Sequence, residues 1–534
     1  MCTIIKARLP RKSTRDLRSP RNSLARKERL IMASDAELAA QGQREAPEVR
    51  VEERPSRRWW ALAVIATAQL MVVLDGTVVT IALPSAQRDL GISDADRQWT
   101  ITAYTLAFGG LLLLGGRIAD YLGRKRIFLV GLIGFAAASA LGGAAQNGAT
   151  LFGARALQGA FAALLAPAAL SLITVTFTEV KERSRAFAVY GAISGGGAAI
   201  GLILGGTLTE YASWRWCLFI NVPIAIVAFI AGAILVTESK AERGSSYDIP
   251  GAILVTTGLV ALVYGFTQAA KTGVGWLSVQ AITCFVAAGI LLVAFVLVEL
   301  RTTSPLLPMR VVLERNRGGS YLASLLVFAG LFAMFLFLSY YFQYNLGWSA
   351  LKSGIAFLPF SAGIIVTSGV VSGLLPRTGP KPLMLIGLAL VAAGLATFTR
   401  ISDTSSWVTT VLPGELLMSV GLALAIVPLS NLALTGVNQD DAGVASAVLN
   451  STQQIGGSLG TALLNTFYAS AVASFVLAHH LPPSGFNPLA AIHGYHVAFW
   501  IGVGLIGGAF VAILVLVNAG KDASTTRPAV SAGA

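Results

Sequence analysis

This sequence predicts an all-α polytopic membrane protein with fourteen transmembrane helices, and three observations carry that prediction. Charged residues are only 12% of the 534, about half of the roughly 25% typical of soluble chains. Apolar residues reach 55% and the mean hydropathy is +0.70. Apolar stretches of about twenty residues, the length that crosses a bilayer, recur along the chain. A soluble chain so poor in charge could not cover its own surface. Disordered, collagen-like and disulfide-rich classes are excluded on the same composition.

The spans fall in order at 59–82, 99–119, 125–146, 149–172, 186–209, 215–237, 249–269, 276–299, 318–341, 352–375, 382–400, 406–430, 443–470 and 495–518. The first carries Asp75, the fourth Arg155 and the twelfth Glu415. The fifth carries a row of glycines, and the seventh and eighth have short polar flanks. Tyr340, Tyr341 and Tyr344 close the ninth and read as an interfacial aromatic belt. Glu210 and Glu299, at span ends, read as interfacial acids.

Charge position sets the orientation. Of 39 Lys and Arg, 32 fall in segments on the side of the N-terminus and 6 on the other, with Arg155 inside a span. Basic loops stay in the cytoplasm, so both termini are expected there, in a multi-pass protein of the cell (inner) membrane. The net charge of +13 is therefore topological, and no nucleic-acid partner is expected. Residues 1–58 read as a basic, disordered cytoplasmic tail. Met32 opens a more ordinary tail, so residues 1–31 are either an untranslated extension or an arm for anionic lipid. Residues 59–237 then form one six-helix half and 318–518 another. The stretch 238–317 supplies two linker helices and a cytoplasmic loop, and 519–534 a second tail. Repeated halves are typical of secondary transporters, with the substrate site between them near the midplane.

The loop after the second span reads Gly116-Arg-Ile-Ala-Asp120-Tyr-Leu-Gly123-Arg124-Lys125-Arg126. Its glycines permit a tight turn, and Asp120 can accept from a helix N-terminus or pair with a cation across the loop. The stretch resembles the signature loop of the major facilitator superfamily, departing at Ile118 and Tyr121. The resemblance implies the major facilitator fold. It also implies a conformational latch at Gly116, Asp120, Gly123 and Arg124. Leu74-Asp75-Gly76-Thr77-Val78-Val79-Thr80-Ile81-Ala82-Leu83-Pro84 resembles the first-span motif of the fourteen-span drug:proton antiporters, the EmrB/QacA branch, with Thr80 where Asn is usual. Trp214-Arg215-Trp216 with Phe219-Ile220-Asn221-Val222-Pro223 is similar to another hallmark of that branch. So is Gln454-Ile455-Gly456-Gly457-Ser458-Leu459-Gly460-Thr461-Ala462. Gly197-Ala-Ala-Ile-Gly201-Leu202-Ile-Leu-Gly205-Gly206 resembles its antiporter motif, with Leu202 in place of Pro. Gly197, Gly201 and Gly205 share one helix face and let a neighbouring helix approach closely.

Asp75 is an acid inside an apolar span, where ionised carboxylates are costly and the default reading is functional. A packing aspartate is the alternative. Arg155 lies in Gly153-Ala-Arg155-Ala-Leu-Gln158-Gly159, which resembles the family's R-x-x-Q-G motif, whose arginine is linked to proton transfer. Asp75 sits about 25 Å into the first span, and Arg155 about 8 Å below the opposite surface, so the two reach similar depth. Glu415, about 14 Å from the outer end of its span, is a candidate second proton site. Gln69, Tyr104, Gln158, Asn450, Gln453, Gln454 and Asn465 are candidates to line a substrate cavity.

Cys2, Cys217 and Cys284 lack metal or redox spacing. Walker phosphate loop, nucleophile elbow and metal-ligand pair are absent from the sequence, so neither an enzyme nor a cofactor is expected. The four histidines cluster near the last outer loop. The expected function is proton-coupled export of small hydrophobic or cationic compounds by alternating access. A facilitator for one metabolite or nutrient, or a membrane sensor that binds without transport, are the alternatives. The expected partners are a small-molecule substrate, protons and the lipid bilayer, with an adaptor protein left open.

Overall fold

The computed structural model describes residues 55–240, 248–271, 274–302, 305–437, 441–482 and 486–519. The expected tails lie almost wholly outside these residues. Fourteen described helices are long and apolar enough to cross a membrane. In order they are α1 (Arg57–Leu90), α2 (Trp99–Leu122), α3 (Arg124–Gly143), α4 (Gly148–Thr176), α5 (Lys181–Tyr211), α6 (Trp216–Leu235), α7 (Ile249–Ala270), α8 (Val279–Arg301), α9 (Arg315–Asn345), α10 (Ala350–Thr378), α11 (Pro380–Phe398), α12 (Trp407–Leu434), α13 (Ala442–Ala478) and α14 (Pro488–Leu516). The protein is a multi-pass membrane protein, and the described residues contain no strand.

The helix ends follow local chemistry. Asn147, Asp248, Ser278, Ser349 and Asn487 each accept a backbone N–H at the start of α4, α7, α8, α10 and α14, satisfying one of the orphan donors there. Gly123 turns α2 into α3 at φ +113°, and Gly379 turns α10 into α11 at φ +80°. Both lie in the region that favours glycine. Helix α1 runs eight residues past its expected end, through Pro84 to Leu90, because its last turns pack against other helices rather than entering a loop.

Helix pairing repeats along the chain. Helix α1 packs on α5 and α6, α2 on α4, and α3 on α4 and α6. The same set recurs eight helices later: α9 on α13 and α14, α10 on α12, and α11 on α12 and α14. The two groups meet where α2 packs on α13 and α5 on α10. Helices α7 and α8 pack on each other, and α7 also lies against α2 and α13. Outward faces carry large apolar side chains such as Val227, Ile234, Val293 and Val366, as a lipid-facing surface requires.

Candidate functional site

Between the two groups lies a cavity of about 1350 Å³. It opens at the end that carries the Asp120 loop, because Arg117, Asp120, Arg124, Arg310 and Asp441 form part of its wall. The opposite end is shut by contacts between the groups. Ser339 Oγ donates to Thr80 O at 3.3 Å, Gln343 Nε2 to Ile81 O at 3.0 Å and Tyr344 Oη to Pro84 O at 3.3 Å. Tyr340 Oη donates to Gln87 Oε1. Arg97 is buried there, donating to Asn465 Oδ1 at 3.1 Å. Its guanidinium lies 4.2 Å from the ring centre of Tyr340 and 4.8 Å from that of Tyr468. The expected aromatic belt is therefore corrected. Tyr340 and Tyr341 are buried, and Tyr340 and Tyr344 bind the other group rather than lipid headgroups.

Beside the cavity, Asp75 and Arg155 form an ion pair at 2.5 Å, each 1% exposed. Asp75 Oδ1 also accepts from Gln158 Nε2 at 3.0 Å and from Asn221 Nδ2 at 2.9 Å. Arg155 Nε donates to Thr100 O at 2.9 Å and Nη1 to Gln158 Oε1 at 2.9 Å. The guanidinium packs over the Tyr104 ring, 4.4 Å from its centre. Asn221 donates further to Ser139, whose hydroxyl donates to Leu218 O. Five helices, α1 to α4 and α6, thus converge on one carboxylate. Arg155 and Tyr104 reach the cavity wall, while Asp75 lies behind them. Sequence reasoning missed Asn221 and Ser139. Asn221 stood inside the quoted Phe-Ile-Asn-Val-Pro stretch, but nothing in that stretch says which carboxylate it meets.

The structure separates the other candidates. Gln69, Tyr104, Asn450, Gln453 and Gln454 line the cavity. Gln158 does not, since both ends of its amide serve Asp75 and Arg155. Asn465 bonds to Arg97 at the closed end and to Asp94 O. Glu415 is fully buried in α12, and neither carboxylate oxygen has a hydrogen-bond partner. It lies off the cavity wall and away from the Asp75 cluster. Glu299 lies in the last turn of α8, as expected of a span-end acid, but is only 3% exposed, and Glu210 accepts from Leu351 N across the α5–α10 contact.

In the loop between α2 and α3, Arg124 Nε donates to Asp120 Oδ1 at 2.9 Å. Glu238 accepts from Lys125 N and Arg126 N, placing an anion at the start of α3 where the helix dipole favours it. A side chain at Gly123 would meet Glu238 Oε1 at 2.8 Å. Gly116 lies on the cavity wall near Pro167. At the same end, Arg310 makes two bonds to Asp441, at 3.1 and 2.9 Å. On α5, a Cβ at Gly197 would meet Leu70 and Val73, at Gly201 Thr77, and at Gly205 the Val78 backbone at 2.9 Å. Gly206 faces α10 at Leu351.

Comparison with known proteins adds the family. The pattern of the Major Facilitator Superfamily matches residues 65–461. The chain is 50% identical to the puromycin resistance protein pur8 of Streptomyces alboniger, over 88% of this chain and 93% of that one. It is 40% identical to the cephamycin export protein CmcT of Amycolatopsis lactamdurans, over 77% and 85%. It is 35% identical to the tetracenomycin C resistance and export protein of Streptomyces glaucescens, over 78% and 77%. The fold matches a bacterial homologue of the human lysosomal transporter Spinster at a TM-score of 0.63, with 15% identity over 87% of this chain and 98% of that one. Fourteen apolar helices, the repeated pairing around one cavity and these matches agree: this chain belongs to the major facilitator superfamily of membrane transporters.

Proposed function

We propose that this chain is a proton-coupled exporter of small hydrophobic or cationic compounds, working by alternating access. The observation that carries the proposal is the buried Asp75–Arg155 pair, with Arg155 on the cavity wall and Asp75 behind it. A proton on Asp75 would cancel its charge and leave Arg155 uncompensated against the cavity. A bound cation about 6 Å from that guanidinium would then meet roughly 3 kcal/mol of repulsion at an effective dielectric of 20. Binding of a proton and binding of a cationic substrate are thereby opposed without the two sharing a ligand, so proton uptake drives substrate release. The similarity to a cephamycin export protein and to a tetracenomycin C resistance and export protein supports export as the direction.

The remaining assignments rest on placement. Gln69, Tyr104, Asn450, Gln453 and Gln454 supply amides and an aromatic face to substrate. The two aspartates on the cavity wall, Asp120 and Asp441, are each paired with arginine. Attraction of a cation therefore falls to ring faces such as Tyr104 and Phe332. Glu415 is the second proton site, a carboxyl group that only a proton can neutralise where it lies. We take 59–237 and 318–518 as the rocking halves, 238–317 as their linker, and the Asp120 loop as the latch. The Asp120 end, with both termini, faces the cytoplasm of the cell (inner) membrane.

The test is proton flux in energised everted vesicles. Compounds from a panel of hydrophobic cations and neutral drugs should dissipate the internal acid gradient in wild type. The response should vanish in Asp75→Asn that is present and folded. Full coupled transport by that variant would sink the assignment.

A further inference from the structure

At the Asp120 end, α7 and α8 bring together two acids that the cavity does not use. Asp248 caps α7, its Oδ1 accepting from Gly251 N at 2.9 Å. Glu299 lies in the last turn of α8, its Oε2 accepting from Leu307 N at 3.0 Å. Each acid keeps a second oxygen, Asp248 Oδ2 and Glu299 Oε1, that is buried and has no hydrogen-bond partner. Both residues are 3% exposed. The two oxygens converge over Gly251. A Cβ built there would lie 2.6 Å from Asp248 Oδ2 and 2.9 Å from Glu299 Oε1. Among the described residues no lysine or arginine forms an ion pair with either acid. Among the described residues, the charged groups on neighbouring elements at this end include Arg301, exposed at the end of α8, Arg117 of α2, whose Nη2 donates to Pro305 O at 3.2 Å instead, and Arg310 of the α8–α9 connector, which is bonded to Asp441.

We propose that Asp248 and Glu299 hold one proton between them and form a proton-binding site separate from Asp75. Two carboxylates in such proximity cannot both ionise without strong mutual repulsion. One shared proton turns two unpaired acceptors into a donor and an acceptor. A metal cation fits poorly. Two free oxygens fall well short of the six or so that a hard cation takes.

The site is tied to the cavity through Glu299. Its other oxygen holds Leu307, in the connector between α8 and α9. Pro305, Leu306, Pro308 and Arg310 of that connector belong to the cavity wall. Two of the four residues Pro305 to Pro308 are prolines without an N–H, so the Leu307 bond is one of few ties the segment can make. Loss of the proton sets two negative charges side by side, pushes Glu299 off Leu307 and frees the connector at the mouth. Proton load at this end is thus coupled to the rim of the cavity.

Infrared spectra of the full chain in lipid vesicles, taken across pH, test this. Glu299→Gln and Asp248→Asn both imitate the protonated pair. The glutamine amide can donate to Asp248 and accept from Leu307 N, and the asparagine amide can accept from Gly251 N and donate to Glu299. At neutral pH each substitution should delete the same single protonated-carboxyl band from the wild-type spectrum, leaving any other such band in place. That band should titrate away in wild type at higher pH. Unchanged spectra in both folded variants would overturn the proposal. So would a band displaced by sodium or calcium at constant pH, which would mean the pair holds a metal ion. If either variant fails to fold, hydrogen exchange on wild type decides. After correction for intrinsic rates, protection at Leu307 should fall about tenfold as pH rises, the loss of one charge-assisted bond. Protection that stays level would overturn the site.

Discussion

Asp75→Asn asks what the buried pair contributes, and the geometry gives its size. Asp75 meets three donors: Arg155 at Oδ2, and Gln158 and Asn221 at Oδ1. An asparagine keeps one acceptor oxygen. In one orientation its amide group confronts Arg155, and in the other it confronts Gln158 and Asn221. Arg155 also remains buried without a counter-charge. Removing one partner of a buried ion pair costs about 3–5 kcal/mol. Asp75→Asn combined with Arg155→Gln removes both charges, so no buried charge is left without a partner. The double variant should therefore be more stable than Asp75→Asn alone, with an interaction energy of about 2–3 kcal/mol. Unfolding of the purified protein in mixed micelles, followed by tryptophan fluorescence, measures all four corners of the cycle. A loss below about 1 kcal/mol for Asp75→Asn, the level of an exposed pair, would refute the reasoning. Additive single effects would refute it too. A double variant that is folded yet does not move protons would separate coupling from folding.

Gly205→Ala places a methyl group 2.9 Å from the Val78 backbone, which cannot move aside as a side chain can. It should cost about 1–3 kcal/mol of stability and exceed Gly197→Ala, whose neighbours are side-chain atoms of Leu70 and Val73; melting temperatures of the two compare them. Arg97→Gln removes the stacked cation at the closed end and should shift the population toward opening there. A cysteine at Thr80 would then label faster with a membrane-impermeant thiol reagent added outside cells; unchanged labelling would count against the lock. The Arg310 hydrogen bonds hold the Asp441 carboxyl below its usual range. A carboxyl depressed in the folded state contributes stability above its unfolded value, about 3.9, and loses it as pH falls through the folded value. Acid unfolding should show that loss in wild type, and Asp441→Asn should flatten it.

The fourteen spans were legible because a bilayer demands about twenty apolar residues wherever the chain crosses, a local and composition-based requirement. Asp75, Arg155 and Glu415 stood out for the same reason, as charges where hydrocarbon penalises charge. Rise per residue even put Asp75 and Arg155 at compatible depth. Which of these residues meet was decided only in three dimensions. Asn221, 146 residues from Asp75, joins it because α1 and α6 pack side by side. Gln158 turned from cavity lining to support for Asp75, and Tyr340 from lipid belt to lock, because helix rotation and not sequence position sets what a side chain faces. Glu299 read as a span-end acid and Asp248 carried no signal in the sequence, until the α7–α8 pairing brought their oxygens over Gly251. Sequence alone determined how many times the chain crosses and which charges are anomalous. The tertiary structure decided their partners, because pairing between helices depends on contacts that no local pattern encodes.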